Sequence, residues 1–146
     1  MAEFELTEKH KQWARKRPQK VPASELIRLL MEQKGLCKLS QAPLVFDVSE
    51  RTPIKDGPGC HPLSPAVDHK DPCDPKSGFQ IVCYALNDLK GHLPVDCFDA
   101  LSSSNAWKEL MRKWKEKADK EPGDREGLMR LIRPNPKMKR GKMRTA

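Results

Sequence analysis

An aspartate and a histidine stand side by side at 68 and 69, and an asparagine follows 19 residues after the aspartate, at 87. These three residue types can carry metal-assisted hydrolysis. A carboxylate such as Asp68 is a hard oxygen ligand of the kind Mg²⁺ prefers. An imidazole such as His69 titrates near neutrality and can take a proton from water. The amide oxygen of Asn87 is a neutral second ligand. Hydrolysis of a phosphodiester needs such a base, a cation to neutralise charge, and groups that hold the phosphate in line. Taken one at a time, Asp-His also suits a surface ion pair, and Asn87 a helix N-cap. Their order along the chain is the informative part.

That order requires elements able to bring 68 and 87 together. SPAVDHKDP (64–72) offers a short apolar approach to the Asp-His pair, and CDPKSG forms a turn. FQIVCYAL (79–86) has strand composition, and Asn87 follows it at an expected helix start. An extended segment at 65–70 would point Asp68 and His69 to opposite faces, flanking one phosphate. Elsewhere, PASELIRLLMEQKG (22–35) reads as an amphipathic helix with Leu26, Leu29 and Leu30 on one face and Gly35 as a left-handed stop. LCKLSQAPLVFDVS (36–49) is extended with turns, and 50–65 is a Pro/Gly loop. Pro94 either starts a new segment or breaks the preceding one. SSSNAWKELMRKWKEKADK (102–120) is predicted helical. Trp107, Leu110, Met111 and Trp114 recur at i, i+3, i+4 and i+7, a core stripe rather than a base-stacking surface. A PGD break precedes a short helix, REGLMRLI. The first 20 residues form a charged stretch with a helical portion, from which Trp13 can pack back onto the body.

Composition limits the class of partner. The 146 residues suit one domain with a modest core and extensions. The net charge of +8 is concentrated in residues 9–20 and 133–146, each with six Lys or Arg and no acid. Without those stretches the acids outnumber the bases, so the positive charge is set for a polyanion or for solubility. The five cysteines (Cys37, Cys60, Cys73, Cys83 and Cys97) contain no CxxC pair, which does not indicate a zinc ribbon. The expectation for Cys37, Cys60, Cys73 and Cys83 is small buried thiols, and all five are expected reduced in an intracellular, cytoplasmic protein. MAEFELTEKHK lacks the apolar run of an export signal, and no stretch reaches membrane-spanning length. No membrane partner is expected.

AVDHKDP followed by SGFQIVCYALNDLKGHLP resembles the signature of HNH endonucleases, with a D-H pair on the first strand of a ββα-metal unit and an N-x-x-K element opening its helix. The upstream GLCKLSQAPLVFD is similar to the C-x-x-[ST]-G-x-P-L segment found before the pair in many phage and bacterial members. The resemblance covers about residues 35–101. It implies an α+β fold: a small ββα-metal core with flanking helices and basic, partly flexible termini. The expected organisation is a basic arm at 1–21, a nuclease domain at 22–120 with its motif core at 64–101, and a short helix with a basic tail at 121–146. It implies Asp68 and Asn87 as ligands of one divalent ion, Mg²⁺ or else Mn²⁺, and His69 as general base. Lys90 matches the family's helix lysine and, with Lys70 and His92, is a candidate substrate contact. The implied activity is hydrolysis of DNA to 5′-phosphate and 3′-hydroxyl ends, within a phage or mobile-element setting and with a homodimer deciding whether both strands are cut. A non-catalytic nucleic-acid-binding module on a degenerate scaffold is the alternative. Two positions depart from the pattern. Gln41 stands where Gly is common, and Gly78 where an Asn usually orients the histidine; Gln80 or a backbone carbonyl is left for that task. Some relatives place a further metal histidine four residues after Asn87, where this chain has Gly91, with His92 one residue beyond.

Overall fold

The computed structural model describes residues 4–16, 21–46, 61–70, 76, 78–91 and 93–132. Within them the chain is α+β, with six helices and one two-stranded antiparallel sheet. His92, Cys60, Cys73, most of the Pro/Gly loop and the basic segments at 17–20 and 133–146 lie outside the described residues.

Helix α1 (Glu8–Lys16) packs on α2 (Ala23–Gln33). Trp13 is buried and meets Phe46 edge-on at 5.6 Å, so α1 is anchored to the body. Leu26, Leu29 and Leu30 form the buried face of α2. The helix stops through two successive left-handed residues, Lys34 (φ 56°) and Gly35 (φ 70°), rather than through Gly35 alone. Their N–H groups return to the carbonyls of Met31 and Leu30 at 3.3 and 3.0 Å, satisfying acceptors that a helix end leaves free. The turn that follows contains Gln41 at φ 63°. The position at which the resemblance leads one to expect Gly is therefore left-handed here, with a side chain in the conformation that glycine favours.

Strands β1 (Pro65–His69) and β2 (Phe79–Cys83) pair with Asp68 opposite Gln80 and His69 opposite Phe79. The other side of β2 is covered. Gln33 donates to the Ile81 carbonyl at 2.7 Å and accepts from the Ile81 N–H at 3.0 Å, while the Lys38 N–H adds a bond to the same carbonyl at 3.0 Å. With both sides and both faces engaged, β2 is apolar almost throughout, and its Ile81, Val82 and Cys83 are fully buried.

Helix α3 (Tyr84–Gly91) begins without an intervening loop. The strand thus ends at Cys83, although strand-type residues continue to Leu86. The cause is non-local. The Tyr84 and Ala85 N–H groups bond to the carbonyls of Ser64 (2.7 Å) and Pro62 (3.1 Å), just ahead of β1. Backbone acceptors so fill the role of a cap for two of the free N–H groups at the helix start. Asn87 is consequently the fourth residue of the helix and not its N-cap.

Pro94 precedes and starts α4 (Val95–Ser102). Ser104 caps α5 (Asn105–Lys120), its Oγ accepting from the Trp107 N–H at 3.1 Å, and α6 (Arg125–Ile132) folds back against α5. Trp107, Met111 and Trp114 are buried as the stripe requires, joined by Ala118. They meet Leu26, Leu30, Leu63, Ile81, Leu86 and Leu128 in one core. No described helix is long and apolar enough to cross a membrane.

Candidate catalytic site

Asp68 lies on the face of the hairpin that α3 covers. Its Oδ2 accepts from Gln80 Nε2 at 2.9 Å across the strand pair and from Lys90 Nζ at 2.5 Å. Lys90 also donates to the His69 carbonyl at 3.1 Å, and its ammonium stands 5.7 Å from the centre of the Phe98 ring on α4. The side chains of Lys90 and Asp68 are only 9% and 13% exposed, so this is an interior ion pair rather than a surface one. Asp68 Oδ1 has no hydrogen-bond partner among the described residues.

Asn87 precedes Lys90 by one helical turn. Residues three apart on a helix are neighbours on one face, about 5–6 Å apart at Cβ. Asn87 therefore shares the side of α3 that reaches Asp68. Half-buried, its amide makes no hydrogen bond within the described residues. His69 points the other way, as strand alternation demands. Its exposed ring rests on Phe79, centroid to centroid 4.9 Å at 45°, and bonds to none of Asp68, Asn87 and Lys90. Gln80, one of the two groups available to orient the histidine, is engaged with Asp68 instead.

Gly78 has φ 100°, a conformation reserved largely for glycine, and its carbonyl accepts from the Lys70 N–H at 3.0 Å as the hairpin closes. The backbone thus accounts for glycine at this position. The Lys70 side chain is exposed beyond the strand end. Of the substrate-contact candidates, Lys70 is open to solvent, Lys90 is turned inward, and His92 falls outside the described residues.

Among the described residues no group of three His, Cys, Asp or Glu side chains gathers. A cation here would draw on Asp68, the Asn87 amide and water. That sparse oxygen set fits Mg²⁺, which keeps several of its waters, and does not resemble a thiolate or imidazole cage. In the structure the cation paired with Asp68 is the Lys90 ammonium. Cys37 and Cys83, 46 positions apart, come together in the core, the Cys83 N–H donating to Cys37 Sγ at 3.3 Å. Both thiols are free, and burial pushes the Cys83 thiol well above its usual range.

Sequence reasoning missed the inward turn of Lys90 and the hold of Gln80 on Asp68. The alternation of β2 could have put Gln80 on the face of Asp68 once the register was known.

Fold and site together define an α+β protein whose two-stranded sheet and following helix carry a polar cluster around Asp68. No family model matches the chain, and no curated protein or solved structure matches it.

Proposed function

We propose that the chain is a metal-dependent endonuclease of the HNH type that hydrolyses DNA, its hairpin and α3 serving as the ββα-metal unit. The observation that carries this reading is the 2.5 Å bond from Lys90 to Asp68, which brings the helix of Asn87, one turn before Lys90, against the Asp68 strand. Asp68 and Asn87 would hold one divalent ion, Mg²⁺ or Mn²⁺. When bound, that ion supplies charge neutralisation on the phosphate and the departing 3′ oxygen. His69, exposed to solvent and steadied by Phe79, takes the proton of the attacking water. Products would carry 5′-phosphate ends. The basic stretches at 9–20 and 133–146 supply affinity for the DNA backbone without sequence preference, and a homodimer or a phage or mobile-element assembly would decide whether one strand is cut or two.

The test is nicking of supercoiled DNA with Mg²⁺ or Mn²⁺ and again with EDTA. His69→Ala is expected to lower the rate by about 10²–10⁴-fold while DNA binding persists. Undiminished cleavage by that variant would remove His69 as the base. A second reading, a non-catalytic nucleic-acid-binding module, is favoured by the His69 ring lying on the face opposite Asp68. Binding without metal-dependent nicking would select it.

A further inference from the structure

We infer that Lys90 is an internal counter-ion which keeps the Asp68 site from loading a divalent cation until a phosphodiester arrives, so that metal binding and nucleic-acid binding are coupled through this one side chain. The inference rests on the reading of Asp68 as a cation ligand and adds the regulation of that ligand.

The argument begins with charge. Asp68 brings one negative charge to the site, and Lys90 cancels it from 2.5 Å away within a largely buried pair. Asn87 is neutral, and Gln80 donates to the same oxygen as Lys90 without adding charge. A divalent ion approaching Oδ1 meets a neutral ensemble with an ammonium on its far side. Like charges a few ångströms apart in a partly dry site repel strongly. A phosphodiester restores the missing negative charge, and it also offers Lys90 another acceptor.

The anchorage of Lys90 fits a residue with two positions. Its ammonium stands over the Phe98 ring and has three donors, two of them spent on Asp68 Oδ2 and the His69 carbonyl. The flexible four-carbon stem allows the ammonium to change acceptor without moving the helix. A fixed phosphate contact would instead face solvent, as Lys70 does. Such an arrangement suppresses metal loading, and so hydrolytic chemistry, away from DNA.

The experiment measures Mn²⁺ binding to the full chain by calorimetry and by loss of the free-ion magnetic resonance signal. It uses wild type, Lys90→Gln, Lys90→Met and Lys90→Arg, each with and without a phosphorothioate duplex that resists cleavage. Circular dichroism establishes that each variant is folded; Lys90→Met keeps an apolar, unbranched side chain of similar length without the charge. The expected result is Mn²⁺ affinity at least about tenfold tighter in Lys90→Gln and Lys90→Met than in wild type without duplex. Adding duplex should tighten wild type and Lys90→Arg markedly and the two neutral variants much less. Asp68→Asn should abolish binding in every background. Neutral variants that bind Mn²⁺ no better than wild type, or that gain as much from duplex, overturn the inference, as does binding that survives Asp68→Asn. Because no readout is cleavage, the expected metal pattern with no DNA cut leaves this inference standing and removes only the nuclease. Cleavage that depends on His69 beside unchanged Mn²⁺ affinities does the reverse.

Discussion

The carboxamide of Gln33 pairs with both backbone groups of Ile81, its nitrogen 2.7 Å from the carbonyl and its oxygen 3.0 Å from the N–H. A side-chain amide has the donor and acceptor of a peptide unit, so Gln33 stands where one residue of a third strand would. Its nitrogen also bonds to the Leu36 carbonyl at 2.8 Å, tying the end of α2 to the same place. Removing it leaves the N–H of a fully buried residue unpaired, which costs about 1–3 kcal/mol for each orphaned group. Gln33→Ala is expected to lose about 2–4 kcal/mol in urea unfolding. Gln33→Glu, which keeps the acceptor and loses the donor, should also be destabilised.

A gain is expected at Gln41. Its φ of 63° costs a residue with a Cβ about 1–2 kcal/mol, offset in part by the chain entropy that glycine loses on folding. The exposed bond from its side chain to the Lys38 carbonyl, at 3.3 Å, contributes little. Gln41→Gly should raise stability by about 0.5–1 kcal/mol, read as a higher urea midpoint at unchanged slope. Gln41→Ala, which keeps the strain, should not.

His61 sets a pH dependence. It is 2% exposed, its Nδ1 accepts from the Leu63 N–H at 3.0 Å, and its ring also bonds to the Pro122 carbonyl. Burial, with Arg125 as a lesser cause, holds its pKa below the usual value, and burial does the same to His10. The unfolded chain therefore takes up protons that the folded chain refuses. The associated stability is complete above the unfolded histidine value of about 6.5 and is lost as pH falls from there through the folded pKa. Unfolding curves between pH 7 and 5 should show a decline that is shallower in His61→Phe.

The basic C-terminal stretch has a quantitative signature on the nuclease reading. Deleting 133–146 removes six Lys or Arg. If all six meet phosphates of duplex DNA, the slope of log affinity against log salt should become less steep by about 5. An unchanged slope would assign those charges to solubility alone.

The helices were legible because their signals are local. The Trp107–Trp114 stripe marked α5, and the leucines of α2 marked its buried face. Asp68, His69 and Asn87 stood out by type and order. Their partners did not, because each comes from pairing across the fold. The end of β2 is decided by the carbonyls of Pro62 and Ser64, some twenty positions upstream, and FQIVCYAL itself contains no break. Gln33 meets Ile81 across 48 positions, and Cys37 meets Cys83 across 46. Lys90 could be placed on the helix of Asn87 but not turned inward, since that direction depends on the packing of α3 over Asp68.

The bonds from Tyr84 and Ala85 back to Ser64 and Pro62 also govern how the protein can open. Those two amides can exchange with solvent only when the start of α3 parts from the chain ahead of β1. The strand bearing Asp68 and the helix bearing Asn87 then separate in the same event. Hydrogen exchange at both amides should accordingly share one opening free energy, close to that of the central strand amides. On that expectation the two residues part and rejoin as one unit.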